Sequence, residues 1–201
     1  MPSLQGADPR NHTLPVLEYL TLDDFVFAVL PRWHCAFECE TDAIPFKSAS
    51  EILHMAETFY EGLQFLHENR ISHGDISEGN IMTNVLLGRA NYGVPDMRDS
   101  GLSMDFLKAP ATPSKDDVRC LTNVLQRWVR VLESNIPELG VFFDEILTSD
   151  DNHLPSAQDC LCTLRQIRSG LTPSELAQPP KFVFWCGGGS GSDIKPADGD
   201  Y

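Results

Sequence analysis

Among 201 residues, one short stretch gathers side chains able to do chemistry together: His73-Gly74-Asp75-Ile76-Ser77-Glu78-Gly79-Asn80. A carboxylate followed five residues later by a carboxamide can divide one task. Asp75 can orient an attacking hydroxyl and accept its proton, while the amide oxygen of Asn80 can hold a divalent cation that bridges nucleotide phosphates. Downstream, Asp99-Ser100-Gly101 offers a second carboxylate ahead of a glycine, suited to the same cation. A polar loop with Asp and Asn is also an ordinary capped turn, so the surrounding elements decide how it is read.

Those elements begin with two apolar, β-branched and aromatic runs at 14–21 and 25–30, parted by Asp23 and Asp24, which predict two strands and a turn. Pro31-Arg32-Trp33 ends the second. Ser48-Ala49-Ser50-Glu51 matches a capping box, and Ile52, Ala56, Phe59, Leu63 and Leu66 recur at helical spacing, predicting a long amphipathic helix to about Asn69. The chemistry-bearing loop follows directly, then a short strand over 81–87 and a turn-rich stretch over 91–101. A second helix opens near Ser114 and buries Val118, Leu121, Leu125, Trp128 and Leu132. Asn135 as cap and Pro137 in the first turn signal a third, with Leu139, Phe142, Phe143 and Ile146 inward. A fourth begins at Ser156, has Asp159 three residues on, and buries Cys160, Leu161, Leu164 and Ile167. Residues 187–201 have the composition of a flexible tail. The expected class is α+β: a mainly helical body with a few strands at its front.

Composition narrows the function. Twenty-nine acidic against 15 basic side chains give a formal charge of −14, with the cations scattered singly. Such a surface repels phosphate backbones and anionic lipid, which argues against nucleic-acid or membrane partners held by a general field. No run approaches the roughly 18 apolar residues of a membrane span. Residues 1–11 lack the apolar core of a signal peptide, so a cytoplasmic or nuclear rather than secreted protein is expected. Six cysteines are too sparse for a disulfide-stapled domain, and the C-x3-C and C-x-C spacings are loose for zinc; reduced thiols are expected. His54 and His67 are expected at the surface or rim of the long helix, and Asp144, Glu145, Asp150 and Asp151 on a solvated face.

At this point the sequence resembles the eukaryotic protein-kinase fold. FLHENRISHGDISEGNIM (65–82) is similar to the end of a kinase C-lobe helix running into the catalytic loop, whose family pattern is His-Arg-Asp, four residues, Asn. RDSGLSM (98–104) resembles the Asp-Phe-Gly segment, and DDVRCLTNVL (116–125) resembles the helix whose early Asp braces the catalytic loop. FVFAVLPRW (25–33) is similar to the strand that runs into the adenine-contacting hinge. The wording is nearest to kinase-like proteins of mushroom-forming fungi. The resemblance implies a protein-kinase-like fold with a mainly helical C-lobe over 35–170 and a partial N-lobe with hinge over 14–34. Residues 1–13 are then a disordered N-terminus and 171–201 a C-terminal extension.

Carried over by position, the resemblance implies Asp75 as catalytic base, Asn80 and Asp99 as Mg²⁺ ligands, and His73 and Asp117 as structural residues of the site. Backbone groups of Leu30, Pro31, Arg32 and Trp33 would bind the adenine edge of ATP. The departures are specific. Gly74 replaces the family's Arg, Ser77 a Lys that contacts the transferred phosphate, and Ser100 the Phe beside the metal-binding Asp. Fifteen residues separate Gly101 from Asp117, few for a peptide-docking segment. Before Asp75 the only lysine is Lys47, beyond the hinge-like segment, and no glycine-rich phosphate loop precedes it. The chain therefore reads as a truncated kinase beginning near that fold's fourth strand. The expected function is ATP-dependent phosphoryl transfer to protein Ser/Thr hydroxyls, weak or absent in this chain. The alternatives are a pseudokinase that binds a protein partner, and a small-molecule phosphotransferase of the aminoglycoside- or choline-kinase type, whose pattern Gly74 matches.

Overall fold

The computed structural model describes residues 8–13, 16–30, 35–36, 46–83, 101–102 and 115–180. The apolar spacing after Ser48 produces helix α1 (Ala49–Glu68), the central strut of an α+β arrangement that is mostly helical. Ser48 caps it by accepting from the Glu51 N–H at 3.3 Å. The Glu51 carboxylate, expected to close a capping box on Ser48, instead takes the Lys47 N–H at 2.7 Å, one residue further back. All five positions of the predicted stripe are buried, and so are Leu53, Met55 and Tyr60. The buried face is wider than the stripe because α1 is packed from two sides, by α2 (Lys115–Val129) and by α4 (Ala157–Ser169).

Helix α2 passes through a 3₁₀ turn (Arg130–Leu132) into α3 (Pro137–Thr148). Val118, Leu121, Leu125, Trp128 and Leu132 fill the space between α1 and α3. The α3 N-cap is Ile136 with Pro137 at N1, not Asn135. Proline's fixed φ sets the first turn without a side-chain cap, and the Asn135 amide reaches Gln178 instead. The Ser156–Asp159 capping box forms as expected at α4, with Cys160, Leu161 and Leu164 buried and Ile167 only half-buried. A short helix, α5 (Pro173–Leu176), follows under its own Thr172–Glu175 capping box.

At the front, β1 (Glu18–Leu22) and β2 (Phe25–Val29) pair antiparallel, Leu22 opposite Phe25, around a turn in which Asp23 takes φ 52°. Asp tolerates the left-handed region that tight hairpin turns require. The first strand starts four residues later than the apolar run. Both faces of the hairpin are exposed, Tyr19, Leu22, Phe25 and Phe27 among them. A second sheet orders β3 (Cys35–Ala36), β4 (Ile81–Thr83) and β5 (Gly101–Leu102) antiparallel. Within the stretch read as a disordered N-terminus, residues 8–13 lie against α1: Arg10 reaches Glu68 at 2.7 Å and sits over the Phe65 ring. No helix among the described residues is long and apolar enough to cross a membrane.

The end of α1 sets up everything that follows. Asn69 is the C-cap, and Arg70 takes φ 59°. The Arg70 N–H bonds the His67 carbonyl at 3.0 Å and the Ile71 N–H the Leu66 carbonyl at 2.9 Å. This pair of bonds is a Schellman motif, and Ile71 packs on Leu66 as that motif requires. It has an arginine where glycine is usual. A left-handed non-glycine residue costs about 1–2 kcal/mol, and glycine gives back roughly half of that through unfolded-state entropy. Arg70→Gly is therefore expected to raise the melting temperature by about 1–3 °C in a thermal scan. An unchanged or lowered value would mean that the arginine side chain offsets its own strain.

Candidate active site

The Schellman turn sends the chain back over the N-terminus of α2, where Asp117 waits in the first helical turn. Its carboxylate is almost wholly buried and accepts four hydrogen bonds from the returning chain. Oδ2 takes the Ser72 hydroxyl at 2.8 Å and the His73 N–H at 2.9 Å, with His67 Nε2 at 3.2 Å; Oδ1 takes the Gly74 N–H at 2.8 Å. Burial pushes this carboxyl's pKa up, but the bonds from His67, Gly74, Ser72 and His73 outweigh it and hold it below the ordinary aspartate value. Gly74 has φ 73°, a conformation that glycine adopts without strain and that aims its N–H at Asp117.

Beyond Gly74 the loop is fixed by its own side chains. The buried His73 accepts the Asp75 N–H on Nδ1 at 3.3 Å. Ile76 inserts into the main core. A 3₁₀ turn (Glu78–Asn80) then brings Asn80 back over Asp75. Its Nδ2 donates to the Asp75 carbonyl at 2.8 Å and to Asp75 Oδ2 at 3.0 Å. With the nitrogen end of the carboxamide so committed, the oxygen end is turned away from Asp75. The Asp75 side chain itself is exposed. The pair thus presents a carboxylate that can accept a proton and a carboxamide oxygen, a hard donor of the kind that Mg²⁺ takes alongside phosphate. Among the described residues, no group of three or more His, Cys, Asp or Glu could hold a metal alone.

Of the residues singled out in the sequence, Asp75, Asn80, His73 and Asp117 are brought together here. Asp99, Pro31, Arg32 and Trp33 lie outside the described residues. Leu30, the first of the hinge-like group, is exposed at the end of β2. Gly101, two residues after Asp99, pairs with Met82, two residues after Asn80.

Two residues have a part in the site that the sequence did not assign them. His67, expected on the surface or rim of α1, is mostly buried and faces Asp117 from the helix's last turn. Arg127, in the last turn of α2, reaches Glu78 in the loop. Their partners lie about fifty residues away along the chain, beyond the reach of local spacing. Lys47 stands just ahead of α1, beside Phe46, whose ring packs edge-on against Trp128. No protein-family model matches the chain, and no curated protein matches it.

Proposed function

We propose that this chain is a protein-kinase-like domain whose Asp75–Asn80 loop handles the phosphates of Mg²⁺-ATP for transfer to a protein Ser or Thr hydroxyl. The observation that carries the reading is the clasp between Asn80 and Asp75 on a loop braced by Asp117. A capped turn needs no buried carboxylate from a helix over forty residues away, whereas a loop that must hold two oxygens at a fixed separation does.

In this reading Asp75 accepts the proton of the acceptor hydroxyl as the new O–P bond forms and the bond to the β–γ bridging oxygen breaks, releasing ADP. Bound Mg²⁺, held by Asn80 and Asp99, would offset negative charge on the phosphates. Asp117, His67 and His73 position the loop and touch no substrate. With Lys47 beyond the hinge-like segment instead of on a strand ahead of it, and Ser77 where a lysine commonly meets the transferred phosphate, charge stabilisation is poor and turnover is expected to be slow. That same deficit favours the second reading, a pseudokinase that binds a protein partner and transfers nothing.

Calorimetric titration with ATP, with and without Mg²⁺, separates them. Metal-dependent binding weakened at least about tenfold by Asn80→Ala or Asp99→Ala is expected. Absence of binding at millimolar ATP overturns the nucleotide site and leaves the partner-binding reading.

A further inference from the structure

The loop's second half is held in a different way from its first. Asp117 grips the backbone at His73 and Gly74, and Ile76 is buried, but the turn Glu78–Asn80 buries none of its own residues and has no side-chain cap from Ser77. Its backbone bonds are local: the Asn80 N–H donates to the Ser77 carbonyl at 3.0 Å, and the Ile81 N–H to the Glu78 carbonyl. Among the described residues, the Glu78 carboxylate ties this turn to the helical body, its two oxygens 3.0 and 3.4 Å from Arg127 Nη1. Glu78 is largely sheltered, with 19% of its side chain exposed, and Arg127 is 38% exposed. Arg127 sits ten residues after Asp117 on the same helix, about 15 Å along the axis. Its cation is also in the last turn, where the helix dipole favours it.

We infer that Arg127 is a positioning residue of this site: through Glu78 it fixes the turn that carries Asn80, so that α2 clamps both halves of the loop. The inference rests on the nucleotide reading above for its chemical meaning, and on geometry alone for the clamp. A single ion pair with its guanidinium partly in solvent is ordinarily worth little to stability, so the effect belongs in the placement of Asn80 and not in the global fold. One guanidinium nitrogen meets both carboxylate oxygens, which a lysine ammonium can also do.

The experiment pairs two readouts on the full chain. Exchange of the Asn80 side-chain amide protons, followed by NMR, reports the clasp on Asp75 without any ligand. Calorimetry with ATP, in Mg²⁺ and in EDTA, reports the cation site. In Arg127→Ala, amide exchange is expected to accelerate and Mg²⁺-dependent affinity to fall by about tenfold, as for other residues that orient a metal ligand, with binding in EDTA unchanged. Arg127→Lys should retain both, and the exchanged pair Glu78→Arg with Arg127→Glu should restore both. Wild-type exchange of the Asn80 protons in Arg127→Ala overturns the clamp whatever the titration gives. Equal losses in Mg²⁺ and in EDTA overturn it too, since they mark general loosening. If the exchange responds as expected but the wild-type chain takes no Mg²⁺-ATP, the clamp is upheld and the nucleotide reading falls.

Discussion

Replacing Asp117 with alanine is expected to cost on the order of 3 kcal/mol of stability, because it strands several donors at once. Four groups lose their acceptor: the buried His73 N–H, the Gly74 N–H, the Ser72 hydroxyl and His67 Nε2. A buried donor left unpaired costs about 1–3 kcal/mol, and the more exposed members of the set recover part of theirs from water. In a domain of this size the loss corresponds to a fall of about 6–12 °C in melting temperature. A variant melting within about 2 °C of wild type would show that the loop amides find other partners. Acid should reproduce part of the effect. The Asp117 pKa in the folded chain lies below its unfolded value, so its contribution is complete above about pH 4 and is lost as pH falls through the lower, folded value. The stability gap between wild type and Asp117→Asn, measured by denaturant titration, is therefore expected to hold from neutral pH down to about 5 and to close below 4.

The second large effect separates chemistry from architecture. Asp75 is exposed, and the hydrogen bond to its carboxylate comes from Asn80, which also holds the Asp75 carbonyl. Asp75→Asn keeps the shape and that carbonyl bond while removing the basic oxygen. Its melting temperature should stay within about 2 °C of wild type. Transfer of γ-phosphate to a protein hydroxyl, followed with labelled ATP, should drop by about 10²–10⁴-fold, the range for losing a positioned general base. Equal turnover in the two proteins would remove Asp75 from the mechanism. The pairing with Asp117→Ala is informative because the expected outcomes are opposite: one loses fold with its loop, the other loses only the reaction.

How far the sequence leads depends on the range over which the relevant physics acts. Capping and amphipathic spacing are local, so the start of α1 at Ser48, the α4 capping box at Ser156 and the inward stripe of α2 through Trp128 follow from the residues themselves. Local rules fail where a neighbour intervenes. Glu51 prefers the Lys47 N–H to that of Ser48, and Asn135 leaves the cap of α3 to a proline-led start at Ile136. The stripe on α1 underestimates its burial because one helix cannot disclose that two others flank it. The hairpin was legible as two strands and a turn, yet nothing in its alternation foretold that both faces would be exposed.

The candidate site divides in the same way. The types and spacing of Asp75 and Asn80 are set by the chain itself: four intervening residues, one of them a buried isoleucine, can curl the carboxamide back onto the carboxylate. What holds that curl comes from far away along the chain. Asp117, His67 and Arg127 reach the loop only because packing lays α2 alongside α1, joining groups some fifty residues apart. Residue type and local spacing, acting over a few bonds, determined which groups could do chemistry. Burial of the apolar faces of α1 and α2 against one another, a choice made by the whole core, decided which groups hold them still.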